Sequence, residues 1–295
     1  MFNKGFVGYD GAGRSEDALS LARRLARIGP GTVTAVYVYG YRRSTRISSR
    51  SGEFAGTLAH AERMLALLRE SVGDEIDVRP MLGFSAAGGL QQLAEEEGAD
   101  LIVVGSTARG PKGRTFPGTT ADRLLNGAPC AVAVVPLGYR DQVADSLRRV
   151  GAAYCRVPEA ATALRAAHAI ARASGAALEV VSAFDAAAQD SSEGVVIARK
   201  AAEAGLDQAL EHVADGVPVS GELADGPAVD VLRERSAGLD LLVMGSRAHG
   251  PIRRALVGST SHGLLLDCLC PVLVVPRGVP SLTEAPRPDR ARSSG

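Results

Sequence analysis

The strongest constraint on this chain is an internal duplication. Residues 98–136 and 238–276 carry the same pattern twice without a gap, at a constant offset of 140 positions. The equivalent pairs that define the offset are Gly105 and Gly245, Gly118 and Gly258, and Pro136 and Pro276. A period of 140 residues is far too long for a solenoid repeat and matches the size of an ordinary domain. The sequence therefore predicts two tandem copies of one domain.

Each copy alternates predicted strands with predicted helices. The strands of the first copy are predicted at 6–9, 32–39, 76–82, 101–104 and 131–135, and those of the second at 149–155, 177–183, 217–223, 240–244 and 271–275. Because these strands are apolar throughout rather than alternating, they indicate a parallel sheet covered by helices on both faces. The predicted fold class is α/β, with two tandem doubly wound, five-stranded parallel-sheet domains of the Rossmann-like kind.

The same pattern predicts the domain limits. The first domain is expected to cover residues 1–140 and the second 145–280. The stretch 281–295 is rich in Pro, Arg and Ser and predicts a disordered tail.

Charge and composition exclude several classes of partner and site. With 33 basic and 33 acidic residues the formal net charge is zero, so neither nucleic acid nor an anionic membrane surface is predicted as a partner. The first residues lack a signal-peptide pattern and no apolar run approaches the roughly 18 residues of a membrane span, which predicts a cytoplasmic protein. The spacing of Cys268 and Cys270 does not suit zinc, and the four cysteines are predicted to be reduced and mostly buried.

A glycine-rich segment follows the fourth strand of each copy. It reads Gly-Ser-x-Ala-x-Gly-Pro and ends in Gly-[Thr/Ser]-Thr at the start of a helix. In an open parallel sheet ligands bind beyond the carboxyl ends of strands where chain order reverses, which here means strands one and four. Backbone N–H groups in such a turn surround phosphate well. Alternatively, the glycines only make the turn and the hydroxyl residues only cap the helix.

Two common nucleotide motifs do not fit. The stretch 110–115 lacks the Gly-Lys-[Ser/Thr] ending of a Walker A loop, and in the stretch 11–16 the third glycine of the dinucleotide fingerprint is replaced by Glu16.

The glycine-rich segment resembles that of the universal stress protein family. In both, a strand is followed by Gly-x-x-Gly/Ala, nine further residues and a Gly-[Ser/Thr] pair. The resemblance covers nearly residues 1–280 and is to tandem-domain members of the ATP-binding subgroup. It implies an adenine nucleotide alpha hydrolase-like fold and ATP, accompanied by Mg²⁺, as the ligand. By this resemblance Asp10 would bind the adenosine. The other matching positions in the first copy are Val38 and Val104 beside the base and, around the phosphates, Gly105, Thr107, Ala108, Gly118, Thr119 and Thr120.

The second copy matches the family pattern less completely. Its matching positions are Met244, Gly245, Arg247, Ala248, Gly258, Ser259 and Thr260. The position corresponding to Asp10 is predicted to be Ala153, which has no carboxylate. Losing an acceptor for a buried adenosine should cost about 1 to 3 kcal/mol, so binding in this copy is expected to be weaker.

Other polar residues near these loops have open interpretations. Asp10 can form an Asx turn rather than bind a ligand. The basic stretch 41–50 can be a lid over phosphates or a solvated loop. The cations that can neutralise a triphosphate are Arg109, Lys112, Arg114, Arg247, Arg253 and Arg254. His249 and His262 lack a triad-like spacing, so no catalytic residue and no metal site are predicted.

Three functions fit the sequence. The first is a cytoplasmic, non-catalytic ATP-binding stress-response or signalling module, with at most weak hydrolysis, in which the nucleotide alters association with a protein partner. The second is a slow ATPase or nucleotide-dependent transferase, for which no carboxylate is evident to orient Mg²⁺. The third is a nucleotide-free scaffold whose halves pack as a pseudo-dimer through 131–135 and 272–275. A homodimer of whole chains is a family-level expectation.

Overall fold

The structure, a computed structural model, describes residues 2–40, 58–141, 146–246 and 263–276. The first half contains β1 (Lys4–Gly8), α1 (Gly13–Arg27), β2 (Thr32–Tyr39), α2 (Leu58–Val72), β3 (Asp77–Leu82), α3 (Ala86–Glu97), β4 (Leu101–Gly105), α4 (Thr119–Leu125) and β5 (Ala131–Val135). The second half contains β6 (Arg149–Ala153), α5 (Pro158–Ser174), β7 (Ala177–Phe184), α6 (Ser192–Val213), β8 (Val219–Asp225), α7 (Ala228–Ser236), β9 (Leu241–Gly245) and β10 (Val272–Val275). The stretches 41–50 and 281–295, for which a lid and a tail were predicted, lie outside the described residues.

All ten strands form one sheet, in the order β3-β2-β1-β4-β5-β10-β9-β6-β7-β8. Neighbouring strands are parallel within each half, and β5 and β10 are antiparallel, with Val134 opposite Val272 and Val132 opposite Val274. The predicted α/β fold is confirmed, and the two edge strands that were expected to meet do pair. The two five-stranded sheets therefore become one continuous sheet with no open edge between them.

The core covers both faces of this sheet. Successive strand residues point to opposite faces, so Val7 and Val103 belong to one apolar cluster while Phe6 and Ile102 belong to the other. Helices α1, α2, α5 and α6 cover the first face and α3, α4 and α7 cover the second. This is the doubly wound arrangement that continuously apolar strands predict. Within the helices of the described ranges, none is long and apolar enough to cross a bilayer.

The strand register corrects one prediction about the second copy. Gly5 lies opposite Leu101, and Val150 lies opposite Leu241, so these two positions on strand one are equivalent. Counting along each strand places Cys155, not Ala153, at the position of Asp10. The preceding tyrosines agree: the N–H of Tyr9 donates to the carbonyl of Val36 at 3.0 Å, and that of Tyr154 to Val181 at 2.9 Å.

The error arose because the second copy is shorter between strands one and four. The offset is 145 residues at strand one and 140 at strand four. Helix α7 has nine residues where α3 has 12, which removes three positions. Two more are lost between the second and third strands, since Val36 pairs with Arg79 but Val181 pairs with Glu222.

The chain leaving β5 is fixed to α1 by buried polar groups. The Asp17 carboxylate, 1% exposed, accepts the N–H of Gly138 at 2.8 Å and that of Arg140 at 3.1 Å. About two helical turns further on, the buried Arg24 guanidinium donates to the hydroxyl of Tyr139. The connection between the two halves is therefore held against the same helix that begins beside β1.

We expect Asp17→Asn to lower the free energy of unfolding by about 1 to 2 kcal/mol, because an amide has no charge and offers one acceptor oxygen where the buried carboxylate offers one to each of two backbone N–H donors. Urea denaturation would measure the change. Asp141→Asn is the matched control, since that side chain is 56% exposed and its 3.7 Å ion pair with Arg140 should contribute little. Equal denaturation midpoints for the two variants would contradict this assignment.

Candidate functional site

The site predicted for the first copy lies where chain order reverses in the sheet. Strand β1 pairs with β2 on one side and with β4 on the other, and both neighbours are parallel to it. The carboxyl ends of β1 and β4 therefore lie side by side. The turn that contains Asp10 leaves β1, and the glycine-rich loop, residues 106–118, leaves β4. The crevice between them is the position at which open α/β sheets bind ligands.

Asp10 makes an Asx turn, the alternative that the sequence left open, and its carboxylate is also partly exposed to solvent. Its Oδ1 accepts the N–H of Ala12 at 3.0 Å, and its Oδ2 accepts a hydrogen bond from the guanidinium of Arg14. The intervening Gly11 has φ of 75°, which only glycine adopts freely. The carboxylate is still 33% exposed. Because a carboxylate has about four acceptor positions, roughly two remain for a ligand.

The glycine-rich loop is closed at its base by its own hydrogen bonds. The N–H of Thr107 donates to the carbonyl of Phe116 at 2.8 Å, and the N–H of Phe116 donates to the Oγ of buried Ser106 at 3.0 Å. Gly118 lies so close to Thr107 that a Cβ there would be 3.3 Å from the threonine Cβ. Thr119 then begins α4 as an exposed residue. The two ends of the loop are thus held together below the crevice.

The glycine that ends β4 has a packing role that its sequence context did not reveal. A Cβ on Gly105 would lie 2.0 Å from the carbonyl oxygen of Arg14, in the first turn of α1. Gly245 is in the same situation, with the carbonyl of Glu159 at 2.5 Å. Both glycines therefore allow the helix after strand one to approach the end of strand four. This close approach places the Asp10 turn directly beside the loop.

Comparison with known proteins identifies the family. The sequence model of the Universal stress protein family matches residues 1–136 and 146–276. The chain belongs to the universal stress protein family. A universal stress protein of Mycobacterium tuberculosis strain H37Rv is 26% identical over 291 residues, which are 92% of this chain and 98% of that protein. The predicted tandem-domain membership is confirmed.

Solved structures show the same tandem fold. A universal stress protein of Archaeoglobus fulgidus DSM 4304 superposes with a TM-score of 0.63 at 19% identity, covering 94% of this chain and 97% of that one. A functionally unknown protein of Pseudomonas aeruginosa PAO1 gives 0.68 at 17% identity, covering 95% and 94%.

The apolar residues predicted to lie beside the base differ in exposure. Val104 is 4% exposed, so it belongs to the core below the crevice. Val38 is half-buried near the end of β2, where its side chain packs against Gly83 and Gly89. In this universal stress protein the wall on the β2 side is therefore formed by Val38, while Val104 supports the floor. In the second half Met244 resembles Val104 and is 4% exposed.

The second half lacks the polar pair that the first half has beside strand one. Cys155 is exposed at the position of Asp10, and Glu159 stands at the position of Arg14. The second half therefore has its carboxylate at the helix position, Glu159, and not at the strand-end position, Cys155. Neither of these two positions has a cationic residue. Outside the described residues lie Arg247, Ala248, His249, Arg253, Arg254, Gly258, Ser259, Thr260 and His262.

The cations of the first loop divide into two kinds. Arg109 and Lys112 are exposed, as is Ala108. Arg114 forms an ion pair with Asp267, which belongs to the second half of the chain. Two of the three predicted cations can therefore turn toward an anionic ligand, and the third connects the two halves.

Sequence reasoning missed several residues that shape the crevice. Tyr9, 8% exposed, donates its hydroxyl to Glu16 at 2.7 Å, and burial together with this carboxylate raises the pKa of the phenol. Arg14 and Thr115 were also missed. The spacing of Asp10 and Arg14, four residues apart across a helix start, was a local signal for their ion pair. No local signal marked Thr115, because its partner is 153 residues away.

Proposed function

We propose that the first half of the chain binds ATP with Mg²⁺ in the crevice between the Asp10 turn and the glycine-rich loop. The observation that carries the proposal is the convergence of a partly exposed carboxylate and a closed glycine-rich loop over the ends of β1 and β4. Family membership supports it, because the match to the family model over residues 1–136 includes the Asp10 turn and the whole glycine-rich loop.

The adenosine side of the crevice fits an acceptor-rich carboxylate. Asp10 would accept hydrogen bonds from hydroxyl groups of the ligand with the lone pairs that Ala12 and Arg14 leave unused. Val38 would contact the base, with Val104 beneath it. An apolar wall with one well-placed polar group is typical of small-molecule binding sites.

The phosphate side fits a short backbone cradle with exposed cations. The residues that would surround the phosphates are Gly105, Thr107, Ala108, Gly118, Thr119 and Thr120. Gly118 leaves room beside Thr107, since any side chain there would approach it closely. Arg109 and Lys112 are exposed and can neutralise part of the phosphate charge. Bound Mg²⁺ would neutralise more of that charge.

We further propose that nucleotide binds in the first half alone. A thiol is a weak hydrogen-bond acceptor, so Cys155 cannot replace the Asp10 carboxylate. Glu159 adds a negative charge where the first half has Arg14. The expected loss is about tenfold to a hundredfold in affinity. The second half would then keep the sequence pattern of a binding loop without binding nucleotide. The positions that keep this pattern are Met244, Gly245, Arg247, Ala248, Gly258, Ser259 and Thr260.

In this proposal the protein acts in the cytoplasm as a binding module rather than as an enzyme. Bound nucleotide would fill the crevice and so change the surface offered to a protein partner. Such a ligand shifts the association only by the difference in its affinity for the two states.

The deciding experiment counts nucleotide on the purified protein after denaturation and chromatography of the released small molecules. We expect about one ATP per chain, because only the first half has a carboxylate that would accept hydrogen bonds from the adenosine. About two ATP per chain would refute the restriction to the first half. ADP instead of ATP would favour the slow hydrolase. No adenine nucleotide, and no binding of added MgATP in calorimetry, would favour the nucleotide-free scaffold.

A further inference from the structure

The glycine-rich loop of the first half is attached directly to the second half. The N–H of Thr115 donates to the carbonyl of Cys268 at 2.7 Å, and the N–H of Cys268 donates to the Oγ1 of Thr115 at 3.0 Å. Neither side chain is exposed to solvent. The two residues thus form a closed, buried pair of hydrogen bonds between segments 153 positions apart in the chain.

A second contact lies beside the first. Arg114 pairs with Asp267, the residues immediately before Thr115 and Cys268. The Asp267 carboxylate also lies 3.7 Å from the guanidinium of Arg233, so a residue of the second half helps to fix its position. Because this ion pair is about one third exposed, it orients the segment more than it stabilises it. The buried hydrogen bonds of Thr115 are the stronger restraint.

The duplication shows that these side chains cannot return the contact in the opposite direction. At the offset of 140 residues, Thr115 corresponds to Ala255 and Asp267 corresponds to Gly127. Alanine has no hydroxyl to accept an N–H, and glycine has no carboxylate to pair with an arginine. The hydroxyl contact of Thr115 and the carboxylate contact of Asp267 therefore have no counterpart at these two equivalent positions. The attachment falls on the half that retains Asp10.

We propose that the second half serves as a brace for the glycine-rich loop of the first half, with Thr115 as the positioning residue for nucleotide binding. This inference rests on the proposed function. Phe116, next to Thr115, supplies both hydrogen bonds that close the loop, and Gly118 follows two residues later. On the other side, the N–H of Gly113 donates to the carbonyl of Leu137 at 2.8 Å. Fixing the loop before the ligand arrives reduces the ordering cost of binding.

The test compares Thr115→Val, which keeps the shape but loses the hydroxyl, with Thr115→Ser, which keeps the hydroxyl. Two quantities are measured for each full-length variant: hydrogen exchange of the Thr115 and Phe116 amides without nucleotide, and the dissociation constant for MgATP by calorimetry. For Thr115→Val we expect faster exchange and about a five- to tenfold weaker affinity, the value of one buried hydrogen bond. Thr115→Ser should remain close to wild type in both.

Cys268→Ala is the matched control, because it keeps the peptide group that contacts Thr115 and the equivalent residue in the first half is Ala128. It should leave both quantities unchanged. Slow exchange in Thr115→Val, or fast exchange with unchanged affinity, would overturn the brace while leaving the proposed function intact. A wild-type protein that binds no MgATP would instead overturn the proposed function, and the exchange data would still decide whether Thr115 holds the loop.

Discussion

Asp10→Ala should raise the dissociation constant for MgATP about tenfold to a hundredfold, the consequence of removing a carboxylate that accepts hydrogen bonds from a bound adenosine. The variant should fold normally, because the ion pair between Asp10 and Arg14 is about one third exposed and such pairs stabilise proteins little. Calorimetric titration with MgATP measures the change in affinity. Thermal unfolding without nucleotide measures the change in stability.

Two further variants separate the ligand contact from the turn. Asp10→Asn keeps an oxygen that can accept the N–H of Ala12 and should weaken binding less than Asp10→Ala does. Asp185 makes the same kind of turn in the second half, where its Oδ1 accepts the N–H of Ala187 at 3.0 Å. Asp185→Ala therefore removes an Asx turn without touching the crevice and should bind MgATP as wild type does. An affinity for Asp10→Ala equal to that of Asp185→Ala would refute the role of Asp10.

Gly105→Ala should lower the free energy of unfolding by about 3 kcal/mol, the upper end of the usual range for overpacked sites. The added Cβ would lie 2.0 Å from the backbone oxygen of Arg14, and a backbone group cannot rotate away as a side chain can. The start of α1 must then move away from the end of β4. Because Asp10 is tied to this turn, nucleotide affinity should also fall. Urea denaturation measures the first effect and calorimetry the second.

Gly5→Ala provides a matched control in the neighbouring strand. A Cβ at Gly5 would lie 3.6 Å from Leu101, Phe2 and Val33, which is ordinary van der Waals contact. The free energy of unfolding of Gly5→Ala should stay within about 0.5 kcal/mol of that of the wild type. If Gly105→Ala is as stable as Gly5→Ala, the close approach of α1 to β4 is not a real constraint on this fold.

The two halves of the chain have diverged while keeping one fold. The first half has a carboxylate at Asp10 and a hydroxyl at Thr115, and the second has Cys155 and Ala255 at these positions. Under the proposed function one half binds the nucleotide and the other supports its loop. This division explains why a duplicated binding pattern need not bind two ligands.

Much of this architecture was predictable from local sequence patterns. Continuous apolar strands, helical spacing and the 140-residue repeat predicted the doubly wound halves. Ser85 is a local signal of the same kind, because it caps α3 with a side chain that accepts the N–H of Gly88 at 3.0 Å. The position of the glycine-rich loop after β4 followed from the same patterns. These features are local because periodicity and caps depend on residues only a few positions apart.

Three features required the folded chain. The equivalence of Asp10 with Cys155 depends on the register of β1 and β6. Small deletions in helices and loops change the offset between the two copies, and the sequences of the strands do not show where these deletions lie. The need for Gly105 comes from the approach of α1, and the support of Thr115 comes from Cys268. A hydrogen bond between residues 153 positions apart forms only after both halves have packed, so no spacing in the sequence could indicate it.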